Sequence, residues 1–569
     1  MNTKTQLPRA EYPRPQFVRE NWLNLNGEWQ FEIDNGKSGE SRGLSVENYT
    51  LSDKIIVPFC PESKLSGIHN VDFMNGVWYK RKINIKKTDD IVVLHFGAVD
   101  YACKAFVNGN LVGEHKGGYV SFSFDITASL RDGENEIAVF AEDDSRDRLI
   151  PSGKQSDKYE SYRCMYTRTT GIWQTVWLEF KPKMYIDYVK YFPNIKDNSI
   201  TIEAEVVGCS DFACDISFAG KPMGKYSAEN ASGKLYFTVP LAEQYLWEVG
   251  KGNLYDVEFT FGKDKVQSYF GLREVMLDGH KFLINGKSVF QRLVLDQGFY
   301  PDGIYTAPTD ADLIHDIELS LAVGFNGARL HEKIFEERFL YHADRMGYIV
   351  WGEYPDWGLD HTYADNIYAI LPEWMEEVRR DFNHPAIVGW CPHNETHDIN
   401  GRKQFDPSIS LVYDVTKAMD PTRPCIDSSG WYHVKTDIFC VHTYEQDPVK
   451  FKENFDRLMT DGTLHDVLWK RQTYRGEATF VSEYGGIKWS SAEGGWGYGN
   501  GPKTIEEFYE RFEGLTDALL NNSEMFALCY TQLTDVEQEQ NGLYTYERIP
   551  KFDCEKLRKL MSKKAAIED

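Results

Sequence analysis

Leu371-Pro-Glu-Trp-Met-Glu-Glu-Val-Arg-Arg-Asp381 is followed, after Phe382, by Asn383-His-Pro-Ala-Ile-Val-Gly-Trp-Cys-Pro-His-Asn-Glu395. The first run has the composition of a helix. The second carries a short apolar strand, Ala386-Ile-Val-Gly-Trp390, and ends on an amide beside a carboxylate. The same helix-then-strand unit recurs upstream. Asp310-Ala-Asp-Leu-Ile-His-Asp-Ile-Glu-Leu-Ser-Leu-Ala322 has apolar residues at helical spacing and leads through Gly324 to Asn326-Gly-Ala-Arg-Leu330. Glu336-Glu-Arg-Phe-Leu-Tyr-His-Ala-Asp-Arg345 leads to Tyr348-Ile-Val-Trp351. Helices alternating with strands from residue 276 to residue 569 predict a (β/α)8 barrel. In that fold the chemistry lies at the carboxyl ends of the strands. Glu395 falls there, and so does Glu483 in Thr479-Phe-Val-Ser-Glu-Tyr-Gly-Gly486. Two strand-end carboxylates are the minimum equipment for a general acid/base and a nucleophile.

Upstream of the barrel the texture is all-β. Gly27-Glu-Trp-Gln-Phe-Glu-Ile33, Val77–Ile83, Ile91–Phe96, Ala105–Val112, Glu136–Phe140 and Thr175–Phe180 are short strands, and Asn108-Gly109 between apolar runs is a hairpin signal. Residues 1–181 are read as a jelly-roll β-sandwich. Ser199–Val207, Lys234–Val239 and Tyr255–Phe261 continue the strand pattern, and residues 182–275 have the length of an immunoglobulin-like β-sandwich. A chain of 569 residues is too long for one core, so three domains are expected.

Composition excludes some classes of partner. A formal net charge of −24 opposes binding to nucleic acid or to an anionic membrane. No apolar run is long enough to span a bilayer, and the N-terminus Met1-Asn-Thr-Lys-Thr-Gln-Leu-Pro has no apolar signal core, which predicts a cytoplasmic protein. The 10 cysteines show no metal-binding or disulfide spacing and are read as reduced thiols. His393 and His397 are four residues apart, but they flank a strand end instead of sitting on one helix, so no metal site is assigned. No cofactor is expected. The 14 Trp and 33 Tyr are ample for sugar-stacking surfaces as well as for the core.

Motifs in both halves resemble glycoside hydrolase family 2, which contains β-galactosidases and β-glucuronidases. In the β part they are Leu25-Asn-Gly-Glu-Trp-Gln-Phe31, Asn108-Gly-Asn-Leu-Val-Gly-Glu-His-Lys-Gly-Gly-Tyr119, Phe124-Asp-Ile-Thr127, Pro151-Ser-Gly-Lys-Gln155 and Thr170–Glu179. In the barrel they are Phe282-Leu-Ile-Asn-Gly-Lys287, Asn383-His-Pro through Asn394-Glu395, and Ser482-Glu-Tyr-Gly485. The resemblance implies a retaining exo-glycosidase with Glu395 as acid/base and Glu483 as nucleophile, such pairs standing about 5–5.5 Å apart. It implies that Asn394 donates to the sugar hydroxyl next to the anomeric carbon, that Arg329 holds the nucleophile ionised and that Tyr444 donates to Glu483.

The remaining candidates lie on the strand-end loops, where this chain departs from the best-known members. Asp296 in the first strand, His331 after the second, and Glu353 and Trp357 after the third are expected to meet the sugar, each with a structural alternative. His393, His442 and Trp489 are expected to line the pocket, with His397 and Trp431 nearby. Asp535 and Glu537 in the eighth-strand region either cap the site or face solvent, and Asp143-Asp144 are read as surface charge in preference to a loop over the barrel mouth. Family members that cleave glucuronides usually carry an Asn-x-Lys element after the nucleophile, and none follows Glu483. The leading substrate is therefore a β-D-galactoside, with an α-L-arabinopyranoside or a uronide as alternatives. Transglycosylation by the same carboxylates and an inactive carbohydrate-binding protein are the rival classes. The expected partner is a glycoside or oligosaccharide, and a homo-oligomer is compatible with the sequence.

Overall fold

The computed structural model describes residues 7–465, 471–490 and 494–568. The N-terminal β-sandwich has a six-stranded sheet, in the order Asp53–Val57, Gly27–Ile33, Val77–Ile85, Gly133–Glu142, Ala102–Val107, Asn110–Lys116. A four-stranded sheet of Trp22–Asn24, Val176–Lys181, Ile91–Phe96 and Phe122–Asp125 faces it. Alternate residues of both sheets, among them Trp29, Phe31, Tyr79, Leu94, Val139 and Leu178, interdigitate in one buried core. The hairpin read at Asn108-Gly109 forms as expected: both residues have positive φ, 51° and 79°, matching the right-handed twist of the flanking strands.

The second β-sandwich is built around two antiparallel strands of 20 residues, Ser199–Phe218 and Lys221–Pro240, which are longer than the runs visible in the sequence. Register shifts between Val206 and Cys209 and between Ser210 and Phe212 bend the pair. Each long strand can therefore cover the core twice. Tyr185–Asn194, Tyr255–Phe261 and Asp264–Phe270 complete the module over a core that includes Tyr191, Phe212, Phe259 and Phe270.

The C-terminal part is the (β/α)8 barrel. Its parallel strands are Gln291–Asp296, Gly327–Leu330, Ile349–Glu353, Ile387–Cys391, Ile438–Thr443, Ala478–Gly485 and Ala527–Thr531, and the first pairs with both the second and the last. The fifth position is filled by residues 425–429, whose Cys425 and Ser429 bridge in parallel to Trp390 and Asn394. This segment, Cys-Ile-Asp-Ser-Ser, is too polar for a full strand. Asp427 turns its carboxylate to the backbone N–H groups of Val434 and Lys435 instead. Inside the barrel, glycine on one strand makes room for tryptophan on the next. A Cβ at Gly389 would lie 2.2 Å from the Trp351 ring, and one at Gly352 would lie 2.7 Å from Trp390. The helix read from Leu371 begins earlier, at Ile367, after a 3-10 turn over Ala364–Asn366, so Pro372 sits inside it.

The β-sandwich and the barrel meet at the carboxyl ends of the barrel strands. Two loops of the sandwich cross onto that end. Ser152 and Gly153 donate backbone N–H groups to Trp357 O at 2.7 and 3.1 Å. Thr167 donates its N–H to Glu537 Oε1 at 3.2 Å, while Gln538 Nε2 donates to the carbonyls of Arg163 and Met165. Among the described residues no helix is long and apolar enough to cross a membrane.

Candidate active site

Glu395 stands four residues beyond the end of the fourth strand, Cys391, with φ of 52°. A non-glycine residue rarely occupies that region unless its surroundings enforce it. Here its N–H is tied to Ser429 O at 2.9 Å. Glu483 lies within the seventh strand and is buried. An oxygen of each carboxylate and a ring nitrogen of His442 all lie within 4.8 Å of one another. His442 joins them: Nδ1 shares a hydrogen bond with Glu395 Oε1 at 2.7 Å, and Nε2 lies 3.0 Å from Ser429 Oγ and 3.5 Å from Glu483 Oε1. The same three groups are the one set within metal-ligating reach of each other among the described residues.

Arg329, fully buried on the second strand, organises the floor of the site. Its Nε donates to Glu353 Oε1 at 2.5 Å, and Nη2 donates to Glu353 Oε2 at 3.1 Å and to Asn394 Oδ1 at 3.0 Å. Its Nη1 donates to Ser482 O at 2.8 Å and Glu483 Oε1 at 3.2 Å. All five N–H groups of the guanidinium are thus engaged. Tyr444 donates its hydroxyl to Glu483 Oε2 at 2.5 Å and stacks on Tyr498 with the ring centroids 3.3 Å apart. Burial pushes the Tyr444 phenol well up, with the Glu483 charge adding to it, so the phenol stays a donor. Burial alone would raise the Glu483 carboxyl, but its surroundings, His442, Arg329 and Lys154 among them, outweigh it and hold it down at about 2. Glu483 is an ionised carboxylate at neutral pH.

Asn394 presents its amide to the cavity. Its backbone N–H is fixed by Asp356 Oδ1 at 2.7 Å and its Oδ1 is taken by Arg329, while its buried Nδ2 has no hydrogen-bond partner. A buried donor without an acceptor is costly and marks a place where a ligand oxygen fits. The Trp357 indole N–H donates to Asn394 O at 3.2 Å, and the ring stands edge-on to His331 with centroids 6.5 Å apart. His331 Nδ1 is 3.3 Å from Glu353 Oε2 and Nε2 is 3.9 Å from Glu483 Oε1. Burial, with Lys154 and Arg329 adding to it, holds this imidazole well below its usual range, so it is neutral.

Several candidates read from the sequence are placed elsewhere. Asp296 caps its own loop, accepting from Gly298 N at 2.9 Å, and burial beside Asp316 pushes it up to about 7. Glu353 is buried with both oxygens engaged, Oε1 by Arg329 and Oε2 by Arg329 and His331. His393 is turned away, its Nδ1 lying 2.9 Å from Asp427 O, and burial pushes it down to about 4. His397 bonds the Glu395 carbonyl at 2.8 Å and packs edge-on against Trp431. Trp489 packs against Phe508 and Phe552 on the rim. Asp535 is ion-paired with Lys551 at 2.7 Å and accepts from Gly542 N at 2.9 Å. Glu537 holds the sandwich loop at Thr167. Asp144 pairs with Arg146 at 2.6 Å, while Asp143 is buried. For Asp296, Glu353, Asp535, Glu537 and Asp144 a nearby cation or backbone N–H takes the carboxylate.

Three groups at the mouth were not singled out from the sequence. Tyr498 belongs to a glycine-rich loop, Asp356 acts through a backbone N–H, and Lys154 comes from the β-sandwich. Only the last left a signal, in the Pro151-Ser-Gly-Lys-Gln155 motif.

A buried ionised carboxylate facing a second, partly exposed one across the mouth of a (β/α)8 barrel is the arrangement of a glycoside hydrolase. The model of the glycosyl hydrolases family 2 sugar-binding domain matches residues 22–182, and that of the family's TIM barrel domain matches residues 275–484. This chain belongs to glycoside hydrolase family 2. It is similar to a β-glucuronidase of Streptococcus agalactiae serotype V, 23% identical over 95% of this chain and 96% of that one. The β-glucuronidase of Felis catus is 26% identical over 76% of this chain and 73% of its own. Among solved structures, the β-glucuronidase of Lactobacillus rhamnosus superposes with a TM-score of 0.81 at 18% identity, covering 99% of this chain and 100% of that one.

Proposed function

We propose that this enzyme is a retaining glycosidase that removes terminal β-linked uronic acid residues, with Glu483 as nucleophile and Glu395 as acid/base. The observation that carries the retaining reading is the spacing of the two carboxylates, whose nearest oxygens stand within 4.8 Å. Retaining pairs sit about 5–5.5 Å apart, whereas inverting pairs are separated by about 6.5–9.5 Å to admit a water. Glu483 attacks the anomeric carbon while Glu395 gives its proton to the departing glycosidic oxygen, leaving a glycosyl ester on Glu483. Glu395, now ionised, takes a proton from water, and the resulting hydroxide displaces Glu483 and restores both carboxyl groups. The free Asn394 Nδ2 donates to the hydroxyl beside the anomeric carbon, a bond that strengthens as positive charge develops there. Asn394→Ala is expected to lower kcat by about 10²–10³-fold, the usual effect of removing one donor aimed at a transition state. Steady-state kinetics check this, and a change confined to KM contradicts it.

The uronide reading replaces the β-D-galactoside read from the sequence. It is supported by the relatives, which are named β-glucuronidases. The missing Asn-x-Lys element after Glu483 weighs against uronides only if the substrate carboxylate must be met from that loop. A panel of 4-nitrophenyl β-D-glucuronide, β-D-galacturonide, β-D-galactoside, β-D-glucoside and α-L-arabinopyranoside tests the reading. A uronide is expected to lead in kcat/KM by about a hundredfold or more, a discrimination that a buried charge contact can supply. A neutral glycoside in first place contradicts it.

A further inference from the structure

The loop Pro151-Ser-Gly-Lys-Gln155 is fixed to the barrel. Besides its backbone bonds to Trp357 O, Gly153 donates to Pro355 O at 3.3 Å, and it adopts φ of 53° so close to the barrel that a Cβ would lie 2.4 Å from Glu332 O. Gly358 opposes it, where a Cβ would lie 2.3 Å from Ser152 Oγ. Glycine is required on both sides for this approach. The contact carries Lys154, 5% exposed, into the mouth of the barrel, with its ammonium 4.0 Å from the centroid of the Trp357 ring.

That ammonium has no hydrogen bond and no carboxylate within 4 Å among the described residues. Its three N–H groups are therefore unspent; burial disfavours the charge, but Cys164, Glu539, Glu483 and Glu332 outweigh it and raise the ammonium above its usual range, with the Trp357 ring face beside it. The other cations of the site are committed. Arg329 uses all five donors on protein oxygens, and Lys333 Nζ donates to Gly298 O and Tyr305 O. The nearby carboxylates do not bond it, although Glu332 Oε1 is buried without a hydrogen-bond partner. Glu332 accepts from Trp357 N at 3.1 Å, and Glu539 accepts from the Tyr166 hydroxyl and from Asn541 Nδ2. Burial, with the Asp356 charge adding to it, pushes Glu332 well up, and burial also pushes Glu539 up, which weakens their claim on the lysine. Lys154 lies near enough to Glu483 to help keep it ionised, so it sits beside the position of the reacting sugar.

We infer that Lys154 is the specificity-determining cation that receives the carboxylate of a uronic acid in the pocket. The inference rests on the uronide reading above and assigns its selectivity to the β-sandwich instead of the barrel. The sugar then lies with its carboxylate toward the sandwich loop and Trp357, and its anomeric carbon toward Glu483. This explains how uronide chemistry persists without an Asn-x-Lys element after the nucleophile.

The test compares the full-length wild type with Lys154→Met and Lys154→Arg on 4-nitrophenyl β-D-glucuronide, the corresponding glucuronamide and the neutral β-D-glucoside. Lys154→Met is expected to lower kcat/KM on the glucuronide by about thirtyfold or more, the effect of truncating one partner of a buried charge pair. Because Lys154 also helps hold Glu483 ionised, the amide and the neutral glycoside should slow too, but by about tenfold less than the glucuronide, so the variant loses its preference for acid over amide. Lys154→Arg should keep most of that preference. An equal fall on all three substrates marks the lysine as a structural strut and overturns the inference, as does an unchanged rate on the glucuronide. Should Lys154→Met not fold, the wild type alone must prefer acid to amide by about thirtyfold, and equal rates overturn the inference. A wild type that prefers neutral glycosides overturns the uronide reading itself. A uronide-selective wild type whose preference survives Lys154→Met overturns only the assignment of the lysine.

Discussion

Glu483→Gln is expected to reduce kcat by about 10⁴-fold or more, because it replaces the anionic carboxylate that forms the glycosyl ester by a neutral amide of the same shape. The two carboxylate oxygens take separate donors, Oε1 from Arg329 at 3.2 Å and Oε2 from Tyr444 at 2.5 Å; the glutamine oxygen can keep the first while its NH2 group faces the Tyr444 hydroxyl, which can accept, so the floor of the site stays in place. The measurement is kcat on an aryl glycoside, read beside a melting curve. A folded Glu483→Gln enzyme within tenfold of wild type contradicts the nucleophile assignment. The environment of Glu483 is built for one task. Burial by itself opposes ionisation, yet the surrounding cationic groups hold the carboxyl down at about 2. A carboxylate so held does not pick up the proton that must go to the leaving group, which separates its role from that of Glu395.

Glu395→Ala should show the opposite dependence on the leaving group. With a poor leaving group, proton donation is required for bond cleavage, and kcat/KM is expected to fall by about 10²–10⁴-fold. With a dinitrophenyl glycoside the first step needs little acid help, so kcat/KM should fall far less and the slow step should become hydrolysis of the ester. Azide, which needs no general base, then restores turnover and yields a glycosyl azide. Equal losses for both leaving groups, with no response to azide, contradict the acid/base role. Glu395 suits this work by its position: its side chain is 19% exposed, unlike that of Glu483 at 5%, and His442 Nδ1 lies 2.7 Å from it. Water can reach it, as the second half of the reaction requires.

Much of this architecture was legible in the sequence because it depends on local periodicity. Helix-strand alternation marked the barrel, and the turn at Asn108-Gly109 needs only two residues with positive φ. Asn394, Arg329 and Tyr444 were legible for a different reason: the family resemblance pointed to them, and the structure brings all three to the pair. The misses share a physical cause. A strand-end Asp or Glu looks the same in sequence whether it faces the cavity or is taken by a neighbour, and the neighbour is distant in the chain. Glu353 is claimed by Arg329, and Asp535 by Lys551. Asp296 is claimed within its own loop by Gly298 N. The histidine that links the two carboxylates, His442, was expected only as part of the pocket lining. Its bridging position follows from the register of the sixth strand against the seventh, where His442 is paired with Glu483 after a register shift. Lys154 belongs to the Pro151–Gln155 motif of the β-sandwich, and its place at the barrel mouth follows only from the docking of one module on the other.

The stereochemical course of hydrolysis tests the central claim most directly. Proton NMR of the anomeric region during rapid cleavage of an aryl β-glycoside shows which anomer is released before mutarotation mixes them. With an oxygen of Glu395 and one of Glu483 within 4.8 Å, the proposed course is two successive displacements, and the β-anomer is predicted to appear first. First appearance of the α-anomer would mean a single displacement by water and would contradict the assignment of Glu483 as nucleophile.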